Sequence, residues 1–450
     1  MILRGRAILG TFLHAPQQGT LEVLADTLIE IDATGTITAV LQPTDAGYAE
    51  ATDRTDVLRL PRGRYVLPGF VDLHIHAPQY PQLGQALDEP LEVWLQKYTF
   101  PLEARYADLD FARPRYTALV EDLLANGTTT ALYFATQHTE ATNLLADICI
   151  DKGQRALVGK VVMDDPAACP DFYRDASPEA AVAGTRAVID HIRTHPANTD
   201  ARVLPVITPR FIPSCTDEAL TALGQLAAEC DCHVQTHCSE SDWAHGHVLN
   251  RYGHTDAQAL DSFGLLTRKS VLAHSNFLTD ADMDRLVVRQ SAVAHCALSN
   301  IYFANAVFPL RRALEKHLHV GLGTDISGGP SASMFEACRT TVQVSRLLQD
   351  GVDPTLPAAN RGTPGSAIDL KTAFHLATAG GGIALDLPIG LFAPGYRFDA
   401  LVIDTTAASG SIRLFGETQP GAVFEKILYG ASRANIEQVW VDGRLTGQTH

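Results

Sequence analysis

Two histidines one residue apart, His74 and His76, end the run Pro68-Gly69-Phe70-Val71-Asp72-Leu73-His74-Ile75-His76. Successive side chains of a β-strand point to opposite faces, so these two are expected to share a face at the end of a buried strand. Imidazole is a common ligand of divalent metals, and two aimed at one point begin a metal site. A metal there would make the chain a hydrolase that activates water. More imidazole and carboxylate groups end other apolar runs: Gln235-Thr236-His237 followed by Cys238-Ser239-Glu240, Ala273-His274, and Gly321-Leu322-Gly323-Thr324-Asp325. Three or four histidines with one aspartate suit a divalent ion such as zinc, with iron and manganese left open by ligand type. Taken singly, each group has an ordinary reading as a strand pair, a core histidine, a turn or an N-cap. Four separate strands ending this way point to one shared partner, because a buried polar group without one is costly.

The middle of the chain alternates brief apolar runs with amphipathic segments. Strands are predicted at 70–76, 128–134, 156–163, 202–208, 233–237, 270–274, 292–295 and 319–323, with helices between them such as 217–230 and 280–290. Repeated β-then-α fits a (β/α)₈ barrel or an open doubly wound sheet. The open sheet normally carries a Gly-rich phosphate loop after its first strand. None stands here, so the expected fold is α/β, a (β/α)₈ TIM-like barrel. Barrel chemistry sits at the C-terminal ends of the strands. Short strands are also predicted near both chain ends, at 7–9, 27–31 and 36–40 and at 399–403, 426–429 and 439–443. They imply a small β-sandwich domain built from both ends. The expected division is 1–66 and 386–450 for that domain, with the hydrolase barrel at 67–385.

With 450 residues, 46% hydrophobic, the chain can bury a large core and a smaller second one. A net charge of −16 disfavours nucleic acid and anionic membranes as partners. No apolar run reaches transmembrane length and no signal peptide is expected. The eight cysteines contain no C-x-x-C pair. Reduced thiols in a cytoplasmic protein are the plain expectation. Several other groups are set aside. His138-Thr139-Glu140 has an H-x-E form but lacks the P-C-x-x-C of cytidine-type deaminases. His245 and His247 read as rim residues, and His317 and His319 stand at the wrong end of the last strand. His295 is left open as a pocket residue. Lys160 lies where a bridging carbamate would be needed for two metals, but a structural role is the simpler reading, so one metal is expected.

The pieces PGFVDLHIH, QTHCSE, LAHS, AHCALSN and GLGTD, in that order and at barrel spacing, resemble the amidohydrolase superfamily. Within it, the stretch from Pro90-Leu91 through Trp94-Leu95 and Lys97-Tyr98-Thr99-Phe100-Pro101 to Glu103 is similar to the guanine deaminase family. So are Thr208-Pro209-Arg210-Phe211 and Gly323-Thr324-Asp325-Ile326-Ser327-Gly328-Gly329. One departure is Ala297-Leu298 after Cys296, where the family has proline; it is expected to reshape the pocket.

The resemblance implies one zinc ion per chain, held by His74, His76, His237 and Asp325. It implies substrate contacts from Gln79, Arg210, Phe211, His237 and Glu240, and a homodimer. His274 would stand beside the attacking water. Hydrolytic deamination of guanine needs hydroxide at C2, a proton on the ring and ammonia leaving. Glu240 is the expected acid at N3, Asp325 the acceptor of the water's proton, and His274 its orienting group. Arg210 would meet O6, Gln79 another polar ring edge, and Phe211 the ring face. The rival readings are an aminohydrolase acting on oxidised guanine, a pterin or a triazine, and a non-catalytic assembly protein on the same fold.

Overall fold

The structure, a computed structural model, describes residues 2–304, 306–417 and 419–446. Five strands come first: β1 (Arg6–His14), β2 (Glu22–Ile31), β3 (Ile37–Leu41), β4 (Val57–Arg59) and β5 (Arg64–Pro68). The barrel strands follow as β6 (Phe70–His76), β7 (Thr128–Phe134), β8 (Arg155–Gly159), β9 (Val161–Val162), β10 (Val203–Pro209), β11 (His233–Cys238), β12 (Ser270–His274), β13 (Ala292–His295) and β14 (His319–Leu322). Near the C-terminus stand β15 (Ala400–Asp404), β16 (Ile436–Val441) and β17 (Arg444–Thr446).

All pairings from β6 to β14 are parallel, in sequence order around the sheet. The two edges meet just past β14: the His76 amide donates to the Ile326 carbonyl at 2.8 Å, and the Asp325 amide to the His74 carbonyl at 2.8 Å. That closure gives the expected (β/α)₈ architecture. The predicted third strand is split at Lys160, whose ammonium turns to the Asp175 carboxylate at 2.6 Å. Strands buried on both faces need apolar residues throughout, and the long aliphatic runs supply them. Val71, Leu73, Leu132, Leu157, Val206, Val271 and Ala294 fill the barrel interior. The outward residues pack under the surrounding helices, for instance Phe70 edge-on to Phe335 at 4.9 Å.

The other sheet takes strands from both chain ends, in the order β17-β16-β15-β5-β1-β2-β3 with β4 on β1. Its period-2 pattern divides its side chains between two clusters. Phe12, Val66, Ala400, Val402 and Trp440 close on one another in a small core of their own. Their neighbours Leu13, Leu67, Leu401, Ile403, Val439 and Val441 join the large cluster shared with the barrel.

One predicted strand is wrong. Residues 426–429 lie inside the helix Pro420–Gly430. Pro420 opens that helix, and Val423, Phe424, Ile427 and Leu428 recur at helical spacing on its buried face. A short apolar run is ambiguous by itself; here Phe424 meets Phe374 at 5.2 Å, which fixes the helical choice. Among the described residues, no helix is long and apolar enough to cross a membrane.

Candidate active site

In β6, Val71 and Leu73 face the barrel interior while Phe70 and Ile75 face the helices. Strict alternation from Leu73 would turn His74 outward. A register irregularity against β7 between Asp72 and Ile75 shifts the phase. His74 and His76 therefore both reach the barrel axis. Asp72 sits at this slip: Thr324 donates to it from its amide at 3.0 Å and its hydroxyl at 2.5 Å, and the His74 amide donates at 3.2 Å. The carboxylate thus ties the end of β6 to the end of β14, next to Asp325. Gly323 permits the approach, since a Cβ there would stand 2.8 Å from the His74 Cβ and 3.0 Å from the Cys296 Sγ. His274 and Asp325 leave their strands with φ of 66° and 53°, left-handed conformations that non-glycine residues adopt at a cost.

These devices bring the predicted groups together. Asp325 Oδ1 is 3.2 Å from His74 Nε2 and 3.7 Å from His76 Nε2. His76 Nε2 and His237 Nε2 are 2.9 Å apart. Asp325 Oδ2 is 3.8 Å from His274 Nε2, which lies 3.6 Å from Glu240 Oε1. Burial, reinforced by the neighbouring imidazoles and Arg210, holds His74, His76 and His237 well below the usual histidine range. They are neutral, with lone pairs to give. His237 donates from Nδ1 to the Arg210 carbonyl at 2.5 Å, and His274 donates from Nδ1 to Asn300 Oδ1 at 2.9 Å, so both Nε2 atoms carry the lone pair. Among the described residues, the buried Nε2 atoms of His74 and His274 have no hydrogen-bond partner. Converging neutral imidazoles with orphaned acceptors beside a carboxylate fit a divalent cation. His74, His76 and Asp325 could hold one, as could overlapping sets that draw in His237, His274 and Glu240.

The cluster opens on a pocket into which Gln79, Arg210, Phe211 and Glu240 project beside His76, His237 and Asp325. Leu91, Trp94, Leu95 and Phe303 make its apolar wall. Burial pushes Glu240 up to about 8, helped by Asp325 and opposed by Arg210. Arg210, 2% exposed, is not free: it grips Glu103 through Nη1 at 2.7 Å and Nη2 at 3.2 Å.

Sequence reasoning assigned no role to four supporting groups: Asp72, Glu103, Asn276 and Asn300. Asn300 donates to Asn276 Oδ1 at 2.8 Å, and Asn276 to the Glu240 carbonyl at 2.9 Å, so one amide chain links Glu240 to His274. Asp72, Glu103 and Asn300 stood inside quoted motifs; Asn276, one residue past LAHS, carried no local signal. The groups set aside lie elsewhere. His245 pairs with Asp256 at 3.4 Å, and Lys160 with Asp175. His295 is buried, held down to about 3 first by burial and then by His274, and packs on Phe308. Ala297 and Leu298 are buried, Leu298 in the large core, and neither side chain lines the pocket.

A closed parallel barrel whose strand ends gather imidazoles and a carboxylate over a small pocket belongs to a known class. The Amidohydrolase family pattern matches residues 65–446, and the chain belongs to that family. The guanine deaminase of Homo sapiens is 37% identical over 450 residues, covering 97% of this chain and 95% of the human protein. Among solved structures, the guanine deaminase from C. acetobutylicum with bound guanine superposes with a TM-score of 0.86 at 28% identity, covering 98% of this chain and 99% of the other. A zinc-bound adenosine deaminase from Xanthomonas campestris shares the fold, with a TM-score of 0.81 at 24% identity over 98% of this chain and 92% of that one.

Proposed function

We infer that this chain hydrolyses guanine to xanthine and ammonia, with one zinc ion held by His74, His76, His237 and Asp325. The observation that carries the reading is the single pocket in which Glu240, Gln79, Arg210 and Phe211 face the imidazole–carboxylate cluster. When bound, the metal supplies an attacking water that ionises near neutral pH, its pKa lowered toward about 7. The protein's own groups do the rest. Asp325 accepts a proton from the attacking water, and His274 orients that water from the other side. Glu240, buried and raised toward neutrality, gives a proton to purine N3, which makes C2 electrophilic; it then takes the proton the C2 hydroxyl sheds on becoming the carbonyl and hands it to the departing amine, and the proton held by Asp325 resets it. The C2–O bond forms, the C2–N bond breaks, and ammonia leaves.

Arg210 donates to O6 and Gln79 to or from the adjoining ring edge, while Phe211 covers a ring face. Because Glu103 cancels the charge of Arg210, the pocket presents polar donors without a net positive charge. That suits a neutral heterocycle. The same reading carries a cytoplasmic homodimer, divided into 1–66 and 386–450 around a barrel of 67–385. The test is ammonia release from guanine by zinc-loaded protein against a chelator-treated control. Metal-dependent release supports the reading; zinc at one per chain without release removes guanine as the substrate.

A further inference from the structure

Glu103 stands behind the pocket wall and touches no predicted reacting atom. It is fully buried in the short helix Phe100–Ala104, with no exposed surface. Two pocket residues end on it. Arg210 grips it bidentately, and Gln79 donates from Nε2 to its Oε1 at 2.8 Å. Gln79 Oε1 in turn accepts from the Ser327 amide at 3.3 Å. A carboxylate only accepts, and a backbone N–H only donates. Glu103 on one side and Ser327 on the other therefore allow the Gln79 amide one orientation out of two.

We propose that Glu103 is a positioning residue that locks the Gln79 amide and the Arg210 fork into one donor–acceptor pattern, which makes the pocket select 6-oxopurines over 6-aminopurines. The chemistry follows from the two purine edges. A 6-oxopurine offers an acceptor at O6 and a donor at N1–H. A 6-aminopurine reverses both, with a donor at the amine and a bare acceptor at N1. Arg210 can only donate, so it accepts the first edge and leaves the amine of the second unpaired. The Gln79 amide could serve either edge if it were free to turn over; Glu103 removes that freedom. A site whose buried polar groups go unpaired rejects the wrong ligand strongly.

The proposal rests on the guanine reading, and the test separates the two. Zinc-loaded wild-type protein and Glu103→Gln are compared with guanine as substrate and with hypoxanthine and adenine as competitive inhibitors. The glutamine side chain can donate as well as accept, so turning Gln79 then forfeits only the longer Ser327 contact at 3.3 Å and no longer the 2.8 Å bond to Glu103. In Glu103→Gln the hypoxanthine Ki should rise at least ~10-fold, on the scale of one misplaced buried hydrogen bond, while the adenine Ki changes by less than ~3-fold. KM for guanine should rise by more than kcat falls, since Glu103 does not touch the reacting atoms. In a Gln79→Leu background the change in inhibitor preference should vanish, because no amide remains to turn.

Equal changes in both inhibitor constants, or a preference unchanged from wild type, overturn the role of Glu103. If Glu103→Gln does not fold, Glu103→Asp is read instead. Its shorter carboxylate reaches Arg210 or Gln79 but not both, and the preference must then fall at least ~3-fold; an unchanged preference overturns the proposal. Wild-type protein that neither releases ammonia from guanine nor is inhibited by hypoxanthine removes the guanine reading itself.

Discussion

Removing the carboxylate at position 72 should cost the site its metal more than it costs the protein its fold. Asp72 accepts from the Thr324 amide, the Thr324 hydroxyl and the His74 amide. In Asp72→Ala the hydroxyl can rotate toward another acceptor, but the two amides stay fixed in the barrel closure. Each orphaned buried N–H costs about 1–3 kcal/mol, so the pair costs roughly 2–6 kcal/mol. Asp72 is itself expensive to bury: desolvation pushes its carboxyl up to about 7 despite its donors. That offset favours the lower end, roughly 2–3 kcal/mol of the 5–15 kcal/mol typical of a domain. The local effect is larger in kind, because both tied segments carry candidate ligands, His74 on one and Asp325 on the other. Groups that orient metal ligands are worth about 10–100-fold in affinity.

Asp72→Asn is the control. Its carbonyl can accept from both amides, and its NH₂ can donate to the Thr324 hydroxyl. It should stay within about 1 kcal/mol of wild type in stability. Competition against a chromophoric chelator measures zinc affinity, and urea unfolding measures stability. Asp72→Ala with zinc affinity within twofold of wild type would refute the argument that Asp72 holds the ligand-bearing strands in register.

Glu240→Gln should keep zinc at one per chain and lose at least ~10²-fold in kcat, the scale of a positioned acid–base group; near-normal turnover removes it from that role. Arg210→Lys keeps a cation against Glu103 but loses the two-pronged grip, so KM for guanine should rise about tenfold or more with zinc content unchanged; an unaltered KM argues against Arg210 at O6. His233 and His375 lie outside the site, donate to the Leu385 and Ala15 carbonyls, and are held below the ordinary histidine range by burial. Such groups take up protons in the unfolded chain first, so their contribution is present above the unfolded value near 6.5 and is lost as pH falls below it. Each removes about 1.4 kcal/mol per pH unit there. His375→Gln should therefore show a shallower fall of Tm between pH 6.5 and 5 than wild type; equal slopes would mean His375 does not resist protonation.

Much of the barrel could be read along the chain because its strands are buried on both faces and appear as unbroken aliphatic runs. The polar residues that end those runs stood out for the same reason, so His74, His76, His237, His274 and Asp325 were visible as a set. The misread segment 426–429 shows the limit: a few apolar residues suit a strand or a helix equally, and only the contact with Phe374 separates them.

What the chain alone determined was the kind and order of the groups. What tertiary structure decided was their phase and their partners. His74 faces the barrel axis because the pairing of β6 slips against β7 between Asp72 and Ile75, and strand periodicity does not contain that slip. Asp72 reaches Thr324 across 252 residues, and Glu103 reaches Arg210 across 107. Such pairs depend on how a closed sheet brings its edges together and on which helix covers its mouth. Hydrogen bonds of this kind act over about 3 Å in space and leave no period in the sequence.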